Sequence, residues 1–243
     1  GAGALMLLLA ALFAFRAYRL KRRGEAEKAK KNAIIESQLK EKELLVREIH
    51  HRVKNNLQTV SSLLSIQGRG ITDEKAKEAV NDSRLRVKSM ALIHQDLYRE
   101  GDITGVRMKE YVEKLVTSLV TSYALGERVR TVVEVEDIAL DVDTAVPIGL
   151  IMNELVTNAL KYAWPDERTG VLAVKLEREA EFLFMHIADD GVGSDTLADE
   201  GSTGFGLNMV KTFASKLKAE WEIEQDAEGT AVGLSIRNFK LAH

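Results

Sequence analysis

Asn153-Glu154-Leu155-Val156-Thr157-Asn158-Ala159-Leu160-Lys161-Tyr162 is the stretch on which the reading of the C-terminal half turns. Apolar residues at helical spacing (Ile151, Leu155, Val156, Ala159) predict a helix over Ala145 to Tyr162 with one buried side. Glu154, Asn158 and Lys161 stand at i, i+4 and i+7 and share the other side. An acid, an amide oxygen and an ammonium in a row suit a hydrated Mg²⁺ and the phosphates it carries, because Mg²⁺ keeps several waters and takes few protein oxygens. The same row also describes an ordinary polar helix face.

Toward the C-terminus, a predicted strand at 182 to 188 runs into Asp189-Asp190-Gly191-Val192-Gly193. A carboxylate fixed at a strand end can accept a hydrogen bond from an exocyclic amine, and the glycines let backbone approach a flat ring. Then Gly201-Ser202-Thr203-Gly204-Phe205-Gly206-Leu207 opens a helix, where backbone N–H groups bind phosphate. The glycine pattern alone also describes a mere turn. Around these motifs the periodicity predicts a helix over 106 to 124, strands at 129 to 135, 171 to 178, 220 to 225 and 230 to 236, and a helix from Gly206 to Leu217. Adjacent strands recur in pairs, so the expected architecture is a layered α+β sandwich.

Toward the N-terminus, Gly24 to Gln67 contains neither proline nor glycine after its first residue, and its apolar residues repeat in alternating steps of four and three (Ile35, Leu39, Val46, Ile49, Val53, Val60, Leu63). That is a heptad seam. A turn is expected at Gly68 to Gly70, with Thr72 or Asp73 capping a second helix whose seam runs Ala76, Val80, Ser83, Val87, Met90, His94, Leu97. Two such helices bury too little by themselves, so a dimeric four-helix bundle is expected.

The first of these helices carries Glu48-Ile49-His50-His51-Arg52-Val53-Lys54-Asn55-Asn56-Leu57. At about 100° per residue, Ile49, Val53, Leu57, Val60 and Leu64 fall on one arc and His50 on its edge. His51 points away from that arc. An exposed imidazole beside an amide, a carboxylate and a guanidinium has the chemistry of a nucleophile open to a large partner. A solvated polar face would look the same, and neighbouring histidines diverge too far on a helix to chelate one ion.

Charge divides along the chain. Residues 16 to 60 hold 13 basic and 6 acidic residues, whereas 106 to 243 hold 14 and 24, and there is no cysteine. A disulfide scaffold and a thiolate metal site are therefore excluded. Residues 1 to 15 are uncharged, and Arg16, Arg19, Lys21, Arg22 and Arg23 follow. This predicts the end of a membrane span with its basic cytoplasmic flank, since the apolar run is shorter than the ~20 residues a crossing needs.

Taken in order, HRxxN on a bundle helix, the polar helix, the strand-end D-x-G-x-G and the glycine loop resemble a sensor histidine kinase of the HRxxN (HWE-related) subfamily with a GHKL-type ATPase domain. The resemblance covers about residues 40 to 240. It implies a multidomain fold: residues 1–23 as span end and flank, 24–43 as coiled-coil linker, 44–101 as dimerisation and phosphotransfer hairpin, and 106–243 as ATP-binding domain. It implies that ATP and Mg²⁺ are the cofactors, and that His51 takes the phosphoryl group, with Asn55, Arg52 and Glu154 in catalytic roles. Asn153, Glu154, Asn158 and Lys161 match the N box, with Asn158 as the Mg²⁺ ligand. Asp189, Gly191 and Gly193 match the G1 box, with Asp189 on the adenine amine. Gly204 and Gly206 match the G2 box, and Thr230 the polar residue near adenine.

Two departures carry consequences. Only ten residues separate Gly193 from Gly204, so the ATP lid is expected to be short. Arg52 stands where many such kinases have an acid. The implied partners are a response regulator receiver domain, a second copy of the chain and the bacterial inner membrane, with the catalytic domains in the cytoplasm and no nucleic acid. A nucleotide-binding scaffold without kinase activity would be expected to have lost some of Asn158, Asp189, Gly204 and Gly206. A GHKL ATPase or protein serine kinase would lack His51 on a bundle helix. The other histidines, His94, His186 and His243, read as structural or terminal.

Overall fold

In the computed structural model, residues 1–96, 105–193 and 205–242 are described. The chain forms two units, Gly1–Ile49 and His50–His243. The first is helical from Ala2 onward, part of α1 (Ala2–Arg69), with no break at 23 or 43. Ile35 and Leu39 of the predicted seam are exposed there, and Glu27 pairs with Lys31 one turn on at 2.9 Å. No helix among the described residues is long and apolar enough to cross a membrane. The uncharged helical run of residues 1–15 is ~22 Å long against a ~30 Å hydrocarbon layer, so it is not by itself a complete span.

The second unit begins with the last turns of α1. Gly70 turns the chain by donating its N–H to Gln67 O at 3.1 Å. Asp73 then caps α2 (Glu74–Asp96) by accepting from Ala76 N at 2.8 Å. His50 and His94 meet across the hairpin. Two of the five residues of the predicted α1 arc are exposed, however: Val53, Leu57 and Leu64 are half-buried, but Ile49 and Val60 are open. One chain supplies only one hairpin, and Leu63 and Ile66 are also left 56% and 64% exposed. From Val80 to His94 the predicted α2 seam is half-buried as well, and Leu97 lies outside the described residues. The buried residues Leu85, Ser89 and Ile93 of α2 form a second face that packs against the C-terminal layer, and Ala91 is buried nearer the seam.

That layer is built of helices on a sheet. β1 (Val106–Arg107) pairs antiparallel with β3 (Ala139–Leu140), so α3 (Met108–Ser122) starts two residues after the predicted helix start. Asp141 caps α4 (Val142–Tyr162) by accepting from Thr144 N at 2.9 Å. The main sheet runs β2 (Val129–Val135), β4 (Gly170–Glu179), β5 (Phe182–Asp189), β7 (Gly229–Ile236), β6 (Ala219–Asp226) in space. Only β2 and β4 are parallel. Alternate residues such as Leu172, Val174, Leu183, Met185, Val232 and Leu234 turn one face inward. α3, α4 and α5 (Phe205–Lys216) contact that sheet. Each such side chain contributes about 1.5–3 kcal/mol on burial, and the opposite face is the more open one, carrying Lys175, Glu177 and His186 beside Phe182 and Phe184.

Candidate nucleotide site and phosphoacceptor helix

A cavity of about 740 Å³ opens between α4, the end of β5, the start of α5 and α2. Its apolar wall comes from Leu155, Ala159, Ile187 and Val232. Asp189 stands at its edge because β5 ends there, and Thr230 is its register partner on β7. The Asp189 carboxylate accepts from Gly191 N at 3.0 Å. Burial pushes its pKa above the usual carboxylate range against the pull of the Gly191 and Thr230 N–H groups. A carboxylate in an apolar slot gains from an incoming donor.

The adjacent acid has a different task. Asp190 Oδ1 accepts from Trp164 Nε1 at 2.9 Å and Val171 N at 2.8 Å. Burial opposes its ionisation, but these donors and Arg168 hold its pKa below the usual range. Of the two aspartates, only Asp189 lines the cavity. Gly193 lines it with φ +66°, a conformation that favours glycine. Gly191 packs on Ala163 and does not line it.

On α4, Asn158 is half-buried in the cavity wall. Thr157 Oγ1, also in that wall, is buried with no hydrogen-bond partner among the described residues. Asn153 lies behind the wall, fully buried, donating to Glu154 Oε1 at 3.1 Å. Its Oδ1 has no partner among the described residues. Gly206 opens the first turn of α5 so close to Glu154 that a Cβ would strike Oε2. Gly204 and His243 lie outside the described residues.

The donor set fits a nucleotide carrying its own metal. Among the described residues no cluster of three acids, histidines or cysteines could cage an ion. A single amide oxygen at Asn158, beside an unpaired hydroxyl and a helix N-terminus, suits a largely hydrated Mg²⁺ held on phosphates.

Two N-box side chains are engaged elsewhere. Arg86 of α2 donates to Glu154 through Nε (2.7 Å) and Nη2 (2.8 Å). Lys161 Nζ lies 2.6 Å from Glu78 and 2.8 Å from Asp82, both on α2. Burial opposes the charge on Lys161, yet these two carboxylates raise its pKa. Asp82 also accepts from the Tyr123 hydroxyl at 3.4 Å, whose pKa burial pushes up to about 12. Sequence reading missed α2 as a wall of this cavity. The signal was available: Glu78, Asp82 and Arg86 share one face at i, i+4 and i+8, with charges opposite to those of Lys161 and Glu154.

On the hairpin, His51, Arg52 and Asn55 are exposed. His50 is half-buried, its Nδ1 3.0 Å from Nδ1 of His94. Burial lowers both pKa values, that of His94 further through His50. One neutral ring therefore donates and the other accepts, fixing α1 against α2 beside His51. His186 lies within β5 and is exposed.

Residues 48–123 match the family model for histidine kinase, and residues 120–236 match that for the histidine kinase-like ATPase domain. The sensor histidine kinase PdtaS of Mycobacterium tuberculosis is 36% identical over 177 residues, 72% of this chain and 35% of that protein. Blue-light-activated histidine kinase 2 of Erythrobacter litoralis is 27% identical over 199 residues, 78% of this chain and 56% of that protein. The solved histidine kinase domain of an Erythrobacter litoralis blue-light activated kinase superposes with a TM-score of 0.60 at 20% identity, covering 79% of this chain and 94% of that one. That last likeness shows the shared fold. The chain thus spans about a third of the length of its mycobacterial relatives. With the two family models matched in order along the helical hairpin and the ATPase layer, the chain belongs to the histidine kinase family.

Proposed function

We propose that this chain is the kinase core of a two-component sensor: ATP bound in the cavity phosphorylates His51, which passes the phosphoryl group to an aspartate of a receiver domain. The observation that carries the reading is the convergence of Asp189, Thr230, Asn158 and Gly206, from distant parts of the chain, on one cavity. Asp189 would accept the exocyclic amine of adenine while Leu155, Ala159, Ile187 and Val232 flank the ring. Phosphate oxygens would meet Thr157 Oγ1, the first turn of α5 and, with Gly204, the glycine loop. Mg²⁺ supplies charge neutralisation at those oxygens, and Asn158 is the residue that would hold it.

At His51, a neutral imidazole nitrogen donates its lone pair to the γ-phosphorus, the P–O bond to ADP breaks, and the ring N–H proton passes to solvent. Positioning supplies most of the rate in such a transfer. Asn55, one turn along, donates to the phosphoryl oxygens, and Arg52 and Lys54 offset their charge. Glu154 acts through Arg86 and Asn153, as a positioning residue. Exposed Val60, Leu63 and Ile66 support pairing with a second copy into a four-helix bundle. The uncharged run and basic flank of residues 1–23 support attachment to a bacterial inner membrane.

Incubation with Mg²⁺ and γ-phosphate-labelled ATP tests the core of this reading. The account expects one acid-labile, alkali-stable phosphate per chain at most. An acid-stable label, or nucleotide binding with no label, would refute it, the latter in favour of a nucleotide-binding scaffold.

A further inference from the structure

The cavity that suits a nucleotide has one wall that does not belong to the ATPase layer. Asp82, Ser83 and Arg86 of α2 line it opposite Glu154 and Lys161 of α4. Two ion-pair clusters hold that wall in place. In one, the Arg86 guanidinium forks onto both oxygens of Glu154, at 2.7 and 2.8 Å, with side chains only 15% and 4% exposed. In the other, Lys161, 11% exposed, lies between the carboxylates of Glu78 and Asp82. The Ser89 hydroxyl and Tyr111 hydroxyl, 3.0 Å apart and buried, continue the same α2 face onto α3.

The charge order along these helices sets up a competition. Lys161 is the cation that α4 turns toward the cavity, and two α2 carboxylates already neutralise it. A triphosphate entering the cavity would face the Asp82 carboxylate in its wall at close range, with Glu78 just outside it on the same α2 face. In a partly desolvated site, like charges that near one another disfavour joint occupancy strongly. The phosphates therefore displace Glu78 and Asp82 from Lys161, or they bind without it. Glu154 extends the linkage, because its Oε2 packs directly on Gly206 at the start of the phosphate-facing helix. Any shift of that turn disturbs the acceptor of Arg86.

We propose that α2 is a built-in competitor of nucleotide: the Lys161–Glu78/Asp82 and Arg86–Glu154 pairs form an electrostatic latch that holds the ATPase layer against the phosphoacceptor hairpin, and nucleotide binding and latch closure oppose each other. This rests on the cavity being the ATP site. The latch would keep the resting kinase closed, and a signal that displaces α2 along or around its axis would weaken both pairs together. Because coupling between two events is reciprocal, whatever opens the latch must tighten nucleotide by the same factor.

The test uses the full chain with Ser89→Cys, which introduces a single thiol into a sequence that has none, as a reporter of α2 separation through its rate of maleimide labelling. Saturating Mg²⁺ and a non-hydrolysable ATP analogue should raise that rate about tenfold. Glu78→Gln with Asp82→Asn should raise it without nucleotide and tighten the analogue by a similar factor. Both changes keep a hydrogen-bond acceptor at each position while removing the charge. Analogue binding that leaves the labelling rate unchanged, together with unaltered affinity in the double variant, would overturn the latch while leaving the nucleotide site intact. No analogue binding to any form would overturn the nucleotide reading itself.

Discussion

Removing the Arg86–Glu154 pair is the perturbation with the clearest physical magnitude. Arg86→Met leaves a carboxylate that is 4% exposed with donation from Asn153 in place of a bidentate guanidinium. Stranding one member of a fully buried pair costs about 3–5 kcal/mol. Here the neighbouring cavity admits water, so the expected cost is about 2–3 kcal/mol. Glu154→Gln keeps an acceptor and should cost about 1–2 kcal/mol. Arg86 also feels Asp82 and Tyr123, so a double-mutant cycle is needed to isolate the pair. The expected coupling is about 1.5–3 kcal/mol. Urea unfolding followed through Trp164, which is buried and bonded to Asp190, would measure it, and the single Arg86→Met change should lower Tm by about 5–10 °C. A coupling below about 0.5 kcal/mol would show that the two side chains do not hold each other in solution.

Other consequences follow from single groups. Asp189→Asn should weaken adenine nucleotide binding about 10–100-fold, the worth of a charge-assisted hydrogen bond. It should also raise the Tm of the nucleotide-free protein at neutral pH. The fold raises the Asp189 pKa, so the folded state binds that proton more tightly than the unfolded chain and loses stability as pH rises through the carboxylate range. Scanning calorimetry of the two proteins checks this. For His50 and His94 the sign reverses. Both pKa values are lowered by folding, so the unfolded chain binds more protons and stability falls as pH drops below about 6.5. His94→Gln should flatten that acid limb in thermal melts. Gly206→Ala drives a Cβ into Glu154 and should cost about 1–3 kcal/mol, read by denaturant unfolding.

How far the sequence reached depends on whether a signal was local. Strands 129–135, 171–178, 182–188 and 230–236 were legible within a residue or two, because period-2 alternation is a property of the segment itself. The two-residue β1 and β3 were not, since each exists only through the other, more than thirty residues away. On α4, the i, i+4, i+7 row of Glu154, Asn158 and Lys161 was legible, but its neighbour was not. Helical periodicity marked the α2 seam through Val80, Val87 and His94, and a seam hides a second face. That face, Asp82 and Arg86 to Ile93, combines charged and apolar groups, so it gave no clean hydrophobic stripe. His51 was legible as exposed, and His50 as sitting on the edge of the buried arc, from helix geometry alone. The exposed Val60, Leu63 and Ile66 of α1 are the side chains that the proposed pairing of two hairpins would cover.

The central claim is that His51 receives the phosphoryl group from a nucleotide held by Asp189 and Asn158. The most direct measurement labels His51→Gln and the unaltered chain side by side with Mg²⁺ and γ-phosphate-labelled ATP while monitoring nucleotide affinity. The account predicts full loss of label with unchanged affinity. Label that persists, on His50 or elsewhere, would contradict it.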